Sequence, residues 1–132
     1  MQQVVLDTNV LVSAIISPYG IPAKILSIVI RRDIQPCYDS RILGEYSEVL
    51  SRPRFNFRPD QVAGILQSIS HRGLSVIANP SNIDMPDESD RIFYEVATAC
   101  GALLITGNLK HYPQEPFIIT PSIYFQQFHD TK

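Results

Sequence analysis

Cysteine is scarce in this chain of 132 residues: Cys37 and Cys100 are the only two, far apart and outside any C-x-x-C pair. No disulfide framework or paired-thiolate motif can be read from them, and both are expected to be buried thiols of a cytosolic protein. Positive charge is short as well. Eleven Lys and Arg against 13 Asp and Glu leave a net charge of −2, so no global basic field advertises a partner held by charge alone. An acidic catalytic centre would itself lower the net charge. No apolar stretch approaches the roughly 20 residues needed to span a bilayer. No basic segment precedes the early apolar run, which Asp7 interrupts, so neither a signal peptide nor a membrane partner is expected. Histidine is equally sparse. None of the three stands in a recognisable relation to a hydroxyl, which removes support for a Ser or Thr nucleophile. His71 and His129 read as surface residues, and His111, beside Lys110, as a contact for a phosphate.

What is present is ordinary for a soluble globular protein: 45% hydrophobic residues and 18% charged. The length suits one domain, residues 1–132, with a single core. There is no repeat, low-complexity tract or linker. Strands are expected at about 3–7, 34–39, 74–78, 102–106 and 116–120, the second demoted by Pro36 to an edge or a strand end. Helices are expected over 9–16, 22–32, 40–50 with Ser40 as cap, 60–73, 87–101 and 121–128. Strands alternating with helices predict an α/β fold with a mostly parallel central sheet. The apolar run "ILSIVI" (25–30) covers more helix faces than a small surface helix needs, which suggests self-association.

In "VVLDTNVLVS" (4–13) a β-branched strand ends on a carboxylate, a hydroxyl and an amide, Asp7, Thr8 and Asn9. The structural explanation is a helix N-cap; the functional one is a site at the strand's carboxyl end, where parallel sheets place their ligands. "ALLI" ends in the same way on Thr106, Gly107 and Asn108, and two strands finishing on small polar residues are explained less well by caps alone.

Two further acids follow from helix geometry. In "SRILGEYSEVL" the apolar stripe is Ile42, Leu43, Tyr46, Val49 and Leu50. At about 100° per residue Glu45 falls on the stripe's edge, facing a cleft or an arginine such as Arg41 or Arg52, while Glu48 faces water. Asp87 and Asp90 open the 87–101 helix. Asp87 is placed to cap it; Asp90 lies one turn in, away from the Ile92/Phe93/Val96/Cys100 stripe.

"VVLDTNVLVSAI", "SRILGEYSEVL", "PDESDRIFYEVATACGALLITGNLKHY" and "FIITPSIYF" together resemble a PIN domain, in particular the toxin components of bacterial toxin–antitoxin modules, the VapC-like proteins. The likeness spans nearly the whole chain and implies a three-layer α/β/α sandwich. It further implies a Mg²⁺- or Mn²⁺-dependent ribonuclease whose first three acids match Asp7, Glu45 and Asp90. Asn108 stands where many members carry a fourth aspartate, which puts a second metal position in doubt. With Asp7, Glu45, Asp90 and Asn108 around the metal, Thr8, Asn9, Thr106 and Asp87 would support the carboxylates and bound waters. Homodimers or larger homo-oligomers, a cognate antitoxin and an RNA substrate are the partners implied.

"SRPRFNFRP" (51–59) sets Arg52, Arg54 and Arg58 among Phe55 and Phe57. With Lys110 these residues could track a single RNA strand by charge and stacking, or the segment is a solvated loop with its phenylalanines in the core. Two other readings remain. One is a PIN-like binding module weakened in catalysis, prompted by Asn108. The other is an aspartyl phosphotransferase of haloacid-dehalogenase type, whose second aspartate would be Asn9 here.

Overall fold

Val4, Val5 and Leu6 complete the central strand β1 (Gln3–Leu6) and are at most 1% exposed. A continuous apolar run of this kind belongs where both sheet faces are covered. In the computed structural model, which describes residues 2–127, β1 is flanked on both sides by parallel neighbours. β2 (Gln35–Tyr38) pairs on one side, with Val4 opposite Pro36. β4 (Leu103–Ile105) pairs on the other, with Leu6 opposite Ile105. β3 (Leu74–Ser75) and β5 (Ile118–Ile119) form the edges of a five-stranded, all-parallel sheet of order β3-β2-β1-β4-β5.

Among the described residues six α-helices cover it: α1 (Thr8–Ile16), α2 (Ile21–Ile30), α3 (Ser40–Leu50), α4 (Pro59–Arg72), α5 (Arg91–Cys100) and α6 (Pro121–Gln127). Proline in the first turn starts α2, α4 and α6, where a missing N–H costs nothing. α5 lies across β1, β2 and β4, whereas α2 packs on α1, α4 and α6. α3 meets α5 as well: the Tyr46 and Phe93 rings lie 6.2 Å apart and Arg41 bonds Glu95 at 2.8 Å. The result is the three-layer α/β/α sandwich. Order reverses between β1 and β4, so their carboxyl ends open a crevice.

Several local expectations are corrected. β2 is interior, not an edge. The Gln35 N–H bonds Gln2 O on the β1 side at 2.9 Å, so the missing N–H of Pro36 faces β3, whose pairing begins only opposite Cys37. Asp39, not Ser40, caps α3, accepting the Ile42 N–H at 3.0 Å. β3 stops at Ser75 rather than 78, and Ile77 is almost fully exposed. The expected 87–101 helix begins with a 3₁₀ turn, Glu88–Asp90, before α5. On α2, Ile25, Leu26, Ile28 and Val29 are buried within the chain, so this run provides no reason for self-association. The end of the expected 121–128 helix, and His129, lie outside the described residues.

Two glycines are required by backbone geometry. Gly101 ends α5 in the left-handed region at φ 64°. A Cβ on Gly73 would stand 2.4 Å from Ile69 O and 2.6 Å from Pro36 O, so α4 can turn into β3 only at a glycine.

Candidate metal centre

Strand pairing runs through to the first acid: the Asp7 N–H still reaches Ile105 O at 3.0 Å. The two oxygens of this carboxylate, 4% exposed as a residue, are engaged differently. Oδ1 accepts the Asn9 N–H at a long 3.4 Å and caps α1. Oδ2 accepts the hydroxyls of Thr106 at 2.9 Å and Tyr112 at 2.8 Å. The cap therefore accounts for one oxygen only. Thr106, fully buried at the end of β4, also accepts the Asn108 N–H at 3.0 Å and, at 3.4 Å, the Asn9 amide. Asn9 Oδ1 takes the Gly107 N–H at 3.0 Å. The two polar strand ends are thus laced together across the crevice. Behind them Tyr46 of α3 donates its hydroxyl to Leu6 O at 2.5 Å.

Asp87 accepts the Ser89 N–H at 3.1 Å and its hydroxyl at 2.7 Å, starting the turn that delivers Asp90. Asp90, with a side chain 13% exposed, meets His111 Nδ1 at 3.1 Å; the same nitrogen is 3.7 Å from Asp87 Oδ2. His111 arrives on a second 3₁₀ turn, Leu109–His111. One ligand atom from each of Asp87, Asp90 and His111 lies within 4.8 Å of the others, a separation that one ion can bridge.

Charge repulsion links this cluster to the other acids. Burial, then the charges of Asp7 and Asp87, push the Asp90 carboxyl up to about 6, against the opposing hydrogen bond from His111. Glu45 is raised by burial first, with Glu48 and Asp7 adding to it and Arg52 opposing. Asp90 and Glu45 are thus both made harder to ionise by neighbouring acids, a setting in which a cation has charge to offset. Carboxylate oxygens with one imidazole fit a small hard dication such as Mg²⁺ or Mn²⁺. One further observation agrees. Among the described residues Thr8 Oγ1 is the one buried side-chain oxygen without a hydrogen-bond partner, and it adjoins Asp7.

The chain from residue 3 to 110 matches the family model described as PIN domain. It belongs to the PIN domain family. It is also 36% identical over 111 residues to the uncharacterized protein MJ1680 of Methanocaldococcus jannaschii, an alignment covering 80% of this chain and 70% of that protein.

In this PIN domain Asp7 is within electrostatic reach of both Asp90 and Glu45, with Thr106 and Asn9 bonded around it, while the cluster of potential ligand atoms among the described residues joins Asp90 to Asp87 and His111 rather than to Asp7, Glu45 or Asn108. Glu45 is half-buried and joins no ion pair among the described residues, because Arg41 binds Asp39 and Glu95, and Arg52 binds Glu48. Glu48 is exposed, as its helix phase requires. Asp87 sits closer to the potential ligands than a cap alone would. Asn108 is exposed; its backbone N–H on Thr106 is its bond into the centre. In the arginine loop, Arg52 and Arg58 are held by Glu48 and Asp60, and Arg54 lies over Phe55 at 4.8 Å. Phe55 and Phe57 are half-buried and stacked, with centroids 5.1 Å apart, so the loop is neither wholly core nor an open stacking platform. Two contributors escaped the sequence reading. His111, read from the sequence as a contact for a phosphate, meets Asp90, and Tyr112 is 4% exposed against Asp7.

Proposed function

We propose that this PIN domain is a divalent-metal-dependent ribonuclease that hydrolyses RNA phosphodiester bonds, acting as the toxin of a toxin–antitoxin module. The observation that supports it best is the cluster of Asp87, Asp90 and His111 beside the crevice between β1 and β4, with the charge of Asp7 acting on both Asp90 and Glu45. A bound cation there would supply the positive charge that attracts a phosphodiester and offsets the charge developing on it during hydrolysis. The chain's own residues then have distinct tasks. Thr106 and Tyr112 fix the Asp7 carboxylate in one orientation through their hydroxyls. Asn9 ties the β4 end to the start of α1 and so holds Asp7 and Thr106 in register. Asn108 brings an amide where a fourth carboxylate would add charge, which favours one ion over two.

Lys110, exposed and in no ion pair among the described residues, is the cation available for a phosphate; Arg54 is the loop arginine outside any such pair. Arg52 and Arg58 would have to exchange Glu48 and Asp60 for phosphates, an exchange that exposed pairs permit at little cost. A cytoplasmic location, a cognate antitoxin and a homodimer complete the proposal. Incubating the purified protein with single-stranded RNA, with and without Mg²⁺ or Mn²⁺, tests it. Metal-dependent cleavage lost in Asp7→Asn is expected. Metal-independent RNA binding without cleavage would favour the non-catalytic binding module.

A further inference from the structure

The segment that carries His111 into the metal cluster does not end there. It continues as Tyr112–Ile118 and folds back beside β4, lining an open pocket of about 500 Å³. That volume lies in the range of small-molecule sites, about 300–1,000 Å³. The pocket and the acids share a wall. Tyr112 lines the pocket while its hydroxyl holds Asp7 at 2.8 Å, and Leu109 and Lys110 line it from the same turn that presents His111.

We propose that this pocket receives one unpaired nucleobase of the RNA strand, next to the phosphodiester at the acids, and prefers a base bearing an exocyclic amino group over uracil. The proposal rests on the ribonuclease reading above. A base needs flat apolar surface for its faces and hydrogen-bonding groups for its edge. Pro113, Pro116 and the half-exposed Leu109 supply the first, over a floor closed by the buried Tyr112, and Gln114 and Glu115 the second. Glu115 Oε2 takes the Tyr94 hydroxyl at 2.6 Å, which leaves Oε1 as an acceptor suited to an amino group. The carboxylate also argues against an anionic occupant such as a free phosphate, while Lys110 at the pocket provides for the phosphate attached to the base. The wall is built in advance. The Tyr94–Glu115 bond, the Glu115 carbonyl on the Ile118 N–H at 3.0 Å and two prolines fix the loop, so little ordering is left for binding to impose.

The test uses the Asp7→Asn protein as a non-cleaving platform and fluorescence anisotropy with six-residue oligoribonucleotides of adenine, cytosine and uracil, together with an abasic strand. Adenine and cytosine strands should bind roughly tenfold tighter than the uracil and abasic strands, the discrimination expected of one buried hydrogen-bonded edge. Glu115→Gln should reduce that preference several-fold while abasic binding stays unchanged. Gln114→Ala, at an exposed position that leaves the fold intact, should reduce it as well. A cleavage map of the wild-type protein on random-sequence RNA with Mn²⁺ should show the same bias at one position beside the cut. Equal binding of all four strands, or a preference that neither variant alters, overturns the pocket but leaves the nuclease standing if the wild type cuts RNA. Absence of both binding and cleavage overturns the nuclease reading, and the pocket with it.

Discussion

Replacing Asp90 by Asn should stabilise the metal-free protein, and only above a definite pH. The Asp90 carboxyl is raised from its ordinary 3.8 to about 6, chiefly by burial and then by Asp7 and Asp87. An acid raised on folding binds more protons folded than unfolded between those two values. Stability therefore falls as pH rises through that window, and the cost is fully present above about 6. At 1.36 kcal/mol per pH unit, that displacement amounts to about 3 kcal/mol. The attraction to His111 at 3.1 Å is already contained in that displacement, and solvent screening at a partly exposed carboxyl reduces the rest, so a net stabilisation of about 1–2 kcal/mol is expected at pH 7.5. For a domain of this size that is a rise of several degrees in Tm. At pH 4, where the unfolded carboxyl is half protonated and the folded one nearly fully so, the two proteins should melt almost together. Thermal denaturation in chelator across pH 4–8 measures this. Mn²⁺ should then reverse the order at pH 7.5 by raising the wild-type Tm more than that of Asp90→Asn. A variant destabilised at pH 7.5 as much as at pH 4 would refute the claim that Asp90 is held in a repulsive, cation-seeking environment.

Glu45→Gln should lower metal-stimulated cleavage by at least about tenfold, whereas Glu48→Gln, on the exposed face of the same helix, should stay near wild type; equal effects would contradict the helix phase. Tyr112→Phe removes one of two hydroxyls on Asp7 Oδ2 and should cost about 1–2 kcal/mol in chelator, measured by urea denaturation, with cleavage reduced but not abolished. Arg41→Ala leaves the buried Glu95 with the Ser81 N–H as its remaining hydrogen-bond donor and should cost about 1–3 kcal/mol, while Arg31→Ala, from an exposed pair, should cost almost nothing. Asn108→Asp should tighten Mn²⁺ binding in calorimetry; unchanged affinity would place residue 108 outside the centre.

Much of this architecture is written locally. Valine, isoleucine and leucine runs mark β1 and β4, and proline and glycine mark helix starts and ends, because these signals depend on neighbours within a turn or two. The polar ends of β1 and β4 were legible for the same reason, since parallel pairing brings like ends together. Periodicity alone placed Glu45 at the edge of the apolar stripe of α3; a role at the metal came only from the family resemblance. Tyr112 and His111 were not legible. They lie on an irregular segment with no period to fix their direction, and Tyr112 meets Asp7 across 105 residues of sequence. An aromatic residue just after a Thr-Gly-Asn strand end is the only local trace. Glu95 was missed because its partners, Arg41 and the Ser81 N–H, come from two other segments. The apolar excess of α2 has its explanation inside the chain for a related reason: periodicity counts apolar faces but does not reveal that α1, α4 and α6 will cover them.

The most direct test of the metal-centred account is isothermal calorimetry of Mn²⁺ into wild-type protein and Asp7→Asn at pH 7.5, run beside an RNA cleavage assay on the same samples. The account predicts one bound ion for the wild type, cleavage that follows its occupancy, and loss of both in an Asp7→Asn protein with an unaltered fold by circular dichroism. Cleavage that survives in chelator, or a folded Asp7→Asn protein that binds Mn²⁺ and cuts RNA as the wild type does, would contradict it.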